Sequence, residues 1–187
     1  MNIEPMMKMK KNVLIISSSP RHGGNSDLLC DEFMQGAENA GHRVEKIRCS
    51  ELTIHYCRGC GVCNAPDKGC LQKDDMDGVL EKMLAADVIV MATPVYFYTL
   101  CGQMKTLIDR TVSRYTELRG KEFYFILAAA EENRDAMQRT VECFRGFLDC
   151  LDDAVEKGVI YGTGAWQAGE IRQSSAMQEA RAMGAQV

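Results

Sequence analysis

Cys57, Cys60, Cys63 and Cys70 share one short stretch, Cys57-Arg-Gly-Cys-Gly-Val-Cys-Asn-Ala-Pro-Asp-Lys-Gly-Cys70. Two consecutive C-x-x-C steps crowd three sulfurs together, and Gly59, Gly61 and Gly69 let the backbone fold around whatever the sulfurs surround. Thiolates spaced this closely suit a [4Fe-4S] cubane cluster. They suit zinc less well, because a four-ligand zinc site usually joins two C-x-x-C knuckles across a dozen or more residues. Free, oxidisable thiols are the third chemistry open to this loop. Arg58 and Lys68 either offset the negative charge of a cluster or are solvated surface residues.

A second constellation is Ser17-Ser-Ser-Pro-Arg-His-Gly-Gly-Asn-Ser26. It offers hydroxyls at Ser17, Ser18, Ser19 and Ser26, an amide at Asn25 and a forked cation at Arg21. Gly23 and Gly24 permit close approach by a ligand. An apolar run precedes this stretch and a helical pattern follows it, so it lies where helix N–H groups and the helix dipole favour a phosphate. Neither a Walker A sequence nor G-x-G-x-x-G is present, which argues against a nucleoside triphosphate or a dinucleotide in the usual position. The bland alternative, a strand–helix turn with a polar cap, needs one donor rather than six.

These loops need elements to hold them. Residues 12–16, Asn-Val-Leu-Ile-Ile, form a continuous apolar and β-branched run, as in a strand buried on both faces of a parallel sheet. Residues 26–40 carry a helical stripe of Leu28, Leu29, Phe33, Met34 and Ala37, stopped by Gly41. A short strand follows at 44–47. Asp74 and Asp75 open a helix bearing Val79, Leu80, Met83 and Leu84. Residues 87–92 form a third strand, halted by Thr93-Pro94. Helices at 100–115, 133–151 and 172–183 alternate with strands at 123–129 and 158–161. This alternation predicts an α/β fold: a five-stranded parallel sheet with helices on both faces. With no repeat or linker, residues 11–187 read as one domain behind a loose leader, 1–10.

Ala92-Thr-Pro-Val-Tyr-Phe-Tyr98 follows the third strand. In a doubly wound sheet that strand neighbours the first, so this loop and the anion loop flank the crevice where such folds bind ligands. Pro94 restricts the backbone, and the three aromatics offer walls for a flat ring or simply cap the core.

Bulk properties exclude several classes. The chain of 187 residues is long enough to bury roughly 70% of its unfolded surface. Its net charge of −4 gives no sign of nucleic-acid or anionic-membrane binding. No stretch has the length of a transmembrane helix, and the first ten residues lack an apolar signal core. The expectation is a cytoplasmic protein, where nine cysteines argue for redox, metal or buried-thiol roles before disulfides. Cys30, Cys49, Cys101, Cys143 and Cys150 read as small core residues. His22 reads as a solvated loop residue, and Asp109-Arg110 as an ion pair at a helix end.

Together these segments resemble a known family. Ser19-Pro20-Arg21, Gly24-Asn25-Ser26, the cysteine loop with Asp74-Asp75-Met76, Thr93-Pro-Val-Tyr-Phe97 and Leu107-Ile-Asp-Arg110 are similar to the flavodoxin-like NADPH-dependent FMN reductases, in the branch of the iron–sulfur flavoproteins. The resemblance implies a flavodoxin-like three-layer sandwich with strand order 2-1-3-4-5. It places an FMN phosphate at Ser19, Arg21, Asn25 and Ser26, and the isoalloxazine along Pro94, Val95, Tyr96 and Phe97. It implies a homodimer or higher homo-oligomer with the flavin near the subunit boundary, and it matches the cysteine spacing of the cluster-bearing branch. The third flavin-facing loop, often glycine-containing in the family, falls here on 128–133 (Ala-Ala-Ala-Glu-Glu-Asn), and no contacts are assigned to it.

The function that follows is an FMN-dependent oxidoreductase. Hydride would pass from NADH or NADPH to the flavin, and from there to a quinone, a small molecule or an iron–sulfur acceptor. The flavin carries that chemistry, which fits the absence of a Ser/His/Asp or Cys/His set. Two alternatives are a non-enzymatic flavin and iron–sulfur electron carrier served by a ferredoxin-like protein, and a flavin-binding redox sensor.

Overall fold

The computed structural model describes residues 9–65 and 68–187, so the expected leader lies outside the described residues apart from Met9 and Lys10. Five long strands run parallel: β1 Asn12–Ser17, β2 Arg43–Arg48, β3 Val88–Tyr96, β5 Glu122–Ala128 and β6 Val155–Gly162. A two-residue strand, β4 (Thr99–Leu100), pairs antiparallel with the end of β3. The order β2-β1-β3-β5-β6 is the expected 2-1-3-4-5 arrangement once β4 is set aside.

Alternation along the strands divides the core in two. Val13 and Ile15 of β1 face one side of the sheet, Leu14 and Ile16 the other, and all four are buried. On the first side lie α1 (Asn25–Asn39) and α5 (Ala176–Gly184), where Phe33 meets Tyr124 edge-on at 5.2 Å. On the second side α2 (Met76–Ala85), α3 (Gly102–Arg110) and α4 (Gln138–Leu148) cover Ile89, Met91 and Phe125, and Phe125 stacks on Phe144 at 4.6 Å. Burying each such side chain contributes about 1.5–3 kcal/mol, which is why the apolar runs become the central strands. The α1–α5 contact is backbone against backbone: a Cβ on Gly36 would lie 2.1 Å from the Arg181 carbonyl, and one on Gly184 2.1 Å from the Phe33 carbonyl.

Several boundaries differ from expectation. β3 runs through Thr93-Pro94 instead of stopping there. Its pairing with β1 ends at Ala92, so Pro94 removes no donor needed on that side, while Pro94 still registers with Ala128 of β5. The expected helix at 100–115 yields Leu100 to β4, begins at Gly102, and ends at Arg110 in 3-10 turns. The helices at 133–151 and 172–183 are likewise shorter, each entered through a 3-10 turn. Among the described residues no helix is long and apolar enough to cross a membrane.

Candidate functional site

The turn from β1 to α1 is built around glycine. Gly24 is the N-cap of α1 and no side chain caps the helix. A Cβ on Gly24 would lie 2.4 Å from the Ser19 hydroxyl, and Gly23 has a φ of +62°. The N-terminal N–H groups of α1 and its dipole therefore face an approach with no side chain in the way. Ser26, in the first turn, is buried and its hydroxyl has no hydrogen-bond partner. A buried hydroxyl left unsatisfied at a helix N-terminus fits an anionic ligand that would complete it.

A charged network braces this turn from behind. The buried Asp27 carboxylate accepts from Ser17 Oγ (2.9 Å), Gly23 N–H (3.2 Å), Lys46 Nζ (3.2 Å) and Arg48 Nη1. Burial pushes its pKa up, but the bonds from Arg48, Ser17 and Lys46 outweigh that and hold it below the ordinary carboxylate value. Ser17 is thus consumed inside the fold, as is Ser18, whose hydroxyl donates to the Ala92 carbonyl at 2.7 Å.

Ser19, Arg21, Asn25, Ser26, Pro94, Val95, Tyr96 and Phe97 all line one cavity of about 460 Å³. The first four come from the anion turn. The last four come from the end of β3, which turns into β4 through Phe97 and Tyr98 at φ +50° and +62°. These two positive-φ residues make a two-residue hairpin of Val95–Leu100 and Tyr96–Thr99 pairs, and Phe97 is left 98% exposed.

Asn25 stands in the wall but its side chain is otherwise engaged. Its Nδ2 donates to the Ala165 and Gln167 carbonyls (3.0 and 2.9 Å), and its Oδ1 accepts from Gly169 N–H (3.0 Å). Arg21 joins the same segment by donating to the Trp166 carbonyl at 3.2 Å. The segment following β6 is therefore pinned over the anion turn, and Ala165 and Trp166 complete the cavity with Ala128, Ala129 and Ala130. These five residues were not assigned from sequence. The available signal was position: both segments leave the carboxyl ends of parallel strands, where ligands gather in such sheets.

Cys57, Cys60, Cys63 and Cys70 line a second cavity, of about 260 Å³, with Leu71, Arg110 and Val112. Gly59 and Gly61 hold φ of +61° and +71°, the backbone freedom that the sequence placed there. Arg110 does not pair with Asp109, which instead meets Lys105 at 2.5 Å. Its guanidinium takes both oxygens of Asp74 at 2.7 and 2.9 Å. Burial raises the Asp74 pKa, but Arg110 and the backbone N–H groups of His55 and Met76 win and hold it well below the usual carboxylate range.

Among the described residues, no three His, Cys, Asp or Glu side chains come together as a ligand set for a single metal ion, so the zinc alternative finds no ready site there. The four thiols line one glycine-containing cavity, which supplies the number and type of donors that a cubane cluster takes. Cys30, Cys49 and Cys101 are buried as expected, with burial pushing the Cys49 thiol up to about 12. Cys143 and Cys150 are exposed, a correction. Val141, Phe144, Phe147 and Leu148 occupy the core side of this region and leave Cys143 beside the Thr99 hydroxyl. His22 is a surface residue facing Glu51 at 3.4 Å.

Residues 11–178 match the model of the NADPH-dependent FMN reductases, which is nearly the whole described fold. The chain belongs to the NADPH-dependent FMN reductase family. Within reach of this family, it is 42% identical over 51% of its length to an iron–sulfur flavoprotein of Archaeoglobus fulgidus, covering 43% of that protein. It is 31% identical over 69% of its length to an iron–sulfur flavoprotein of Methanocaldococcus jannaschii, covering 68% of it. The chain spans about half the length of four of the curated relatives it matches, from 43% to 54%. Among solved structures, the NAD(P)H:quinone oxidoreductase from Methanothermobacter marburgensis superimposes with a TM-score of 0.74 at 15% identity, over 95% of this chain and 96% of that one. At that identity the likeness speaks for the shared fold alone.

Proposed function

We propose that this chain holds FMN in the cavity between the anion turn and the β3–β4 hairpin, and moves reducing equivalents from NADH or NADPH to a quinone, small-molecule or iron–sulfur acceptor. The observation that carries this reading is the convergence of two distant segments on one cavity whose wall contains a buried, unpartnered Ser26 hydroxyl. Bound FMN would supply hydride acceptance and one- or two-electron donation.

The chain's own residues bind and orient. Ser26, Ser19, Arg21 and the amides opening α1 would hold the phosphate, while Asn25 fixes the segment carrying Trp166. Pro94, Val95, Tyr96 and Phe97 would lie along the ring. Three successive alanines, 128–130, line the same cavity, with Ala128 beside Pro94 on the neighbouring strand.

The four-cysteine cavity would hold a [4Fe-4S] cluster, a reading supported by the spacing of the thiols and by the names of the relatives. The exposed Phe97, Tyr98 and Trp166 favour a homodimer that covers them. A cytoplasmic setting would keep the thiols reduced.

The test is anaerobic mixing of the FMN-loaded protein with NADPH or NADH. Rapid bleaching of the visible flavin band is expected with at least one donor. A flavin that stays yellow with both, yet bleaches with a reduced ferredoxin-like protein, would replace the enzyme with an electron carrier. That second reading is favoured by the separate thiol-lined cavity.

A further inference from the structure

Arg110 closes α3 and lies beneath the cysteine cavity with only 1% of its surface exposed. Its guanidinium is fixed on three sides. Asp74 takes Nη1 and Nη2 in a bidentate pair, and the His55 carbonyl accepts from Nη1 at 2.7 Å. The remaining contact points into the thiol wall: Nη2 reaches Cys70 Sγ at 3.6 Å. Nε is buried without a partner.

A buried ion pair is a costly way merely to fasten a helix end, because desolvating both charges offsets most of their attraction. Apolar residues would pack there as well. What an apolar side chain could not do there is donate a hydrogen bond to the sulfur, as Nη2 does to Cys70.

We infer that Arg110 is a positioning residue for the four-cysteine centre, anchoring Cys70 and raising the reduction potential of the cluster bound there. The inference rests on the proposed cluster. Gaining one electron makes a thiolate-bound cluster more negative by one charge. That electron comes from the reduced flavin in the proposed reaction; no bond is made or broken and no proton moves. A hydrogen bond donated to a ligand sulfur favours the more negative state, and since Asp74 offsets the guanidinium charge it is this donor that carries the effect. Asp74 locks the guanidinium in that direction, so the effect does not depend on a mobile side chain. The guanidinium itself is shielded from solvent, with 1% of its surface exposed, although Leu71 and Val112 in the same wall are open to water.

The experiment compares the wild-type chain with Arg110→Lys and with the double variant Arg110→Met/Asp74→Asn, which removes the donor and leaves no buried carboxylate unpaired. All are purified and reconstituted anaerobically with iron and sulfide. Iron content, FMN affinity, circular dichroism and an EPR-monitored redox titration are read on each. We expect unchanged FMN affinity and fold in both variants. The one-electron reduction equilibrium should shift about tenfold toward the oxidised cluster in the double variant, equivalent to about 59 mV, and by a smaller step in Arg110→Lys. Iron loss from a variant that keeps its fold and FMN would also support the anchoring of Cys70. Iron-replete variants with the wild-type potential would overturn the inference alone. A wild-type chain that binds FMN but takes up no iron would overturn the cluster reading and this inference with it.

Discussion

The buried Ser26 hydroxyl has no partner in the protein, so the unliganded chain gains nothing from it. Ser26→Ala should leave the thermal midpoint unchanged or slightly raised while weakening FMN binding by about 1–3 kcal/mol, readable by flavin fluorescence titration. Asp74 behaves in the opposite way, since its worth lies in the folded protein itself. Asp74→Ala strands the Arg110 charge and should cost about 3–5 kcal/mol in urea unfolding. Its carboxyl is depressed on folding, so its contribution is complete above the unfolded value of about 3.9 and is lost as pH falls further. Unfolding midpoints compared at neutral pH and in acid should therefore fall more for the wild type than for Asp74→Asn. Individual donors were legible in the sequence, but their engagements were not. Asn25 was read as a phosphate ligand because it stands in the right turn. Its amide also donates to the Ala165 and Gln167 carbonyls, partners that no local pattern reveals. Arg110 was paired with its neighbour Asp109 for the same reason, whereas its true partner comes from before α2.

At the scale of elements, the β3–β4 hairpin carries a testable conflict. Phe97 and Tyr98 occupy left-handed backbone at a cost of about 1–2 kcal/mol each, where Asn-Gly would sit without strain. Phe97→Asn/Tyr98→Gly should raise the denaturation midpoint of the unliganded chain by about 1 kcal/mol. On the proposed function it should also reduce self-association by sedimentation and weaken FMN retention, since both side chains are exposed and Phe97 lines the candidate flavin cavity. A hairpin with Phe-Tyr at its tip lacks the usual turn signal, and Pro94 reads as a stop, so the sequence reading ended β3 too early. The strand at 12–16 was legible because a fully apolar β-branched run has few other uses. On the opposite face, Gly184→Ala would press a methyl into the Phe33 carbonyl and should cost about 1–3 kcal/mol. Since α5 braces α1, the same variant should loosen the anion turn and release FMN faster, while Gly146→Ala in α4, which meets nothing, should stabilise by about 0.5–1 kcal/mol and leave FMN release unchanged.

Over the whole molecule, strand order decides where function sits. Once β1 and β3 are neighbours, the turns that leave them must open on the same crevice, which is why both sets of candidate FMN residues are legible in the sequence. The remaining walls come from 128–130 and 165–166, segments without a donor-rich pattern, brought to the cavity by the β5–β6 pairing and by the hydrogen bonds of Asn25 and Arg21 to 165–167. Trp166 gives the chain a direct reporter, because it is the single tryptophan and it lines this cavity. Titrating the chain with FMN while following tryptophan emission tests the central claim. Saturable quenching at one FMN per chain, strongly weakened in Arg21→Ala, is the result predicted. Emission that stays unchanged while FMN binds elsewhere, or no binding at all, would contradict it.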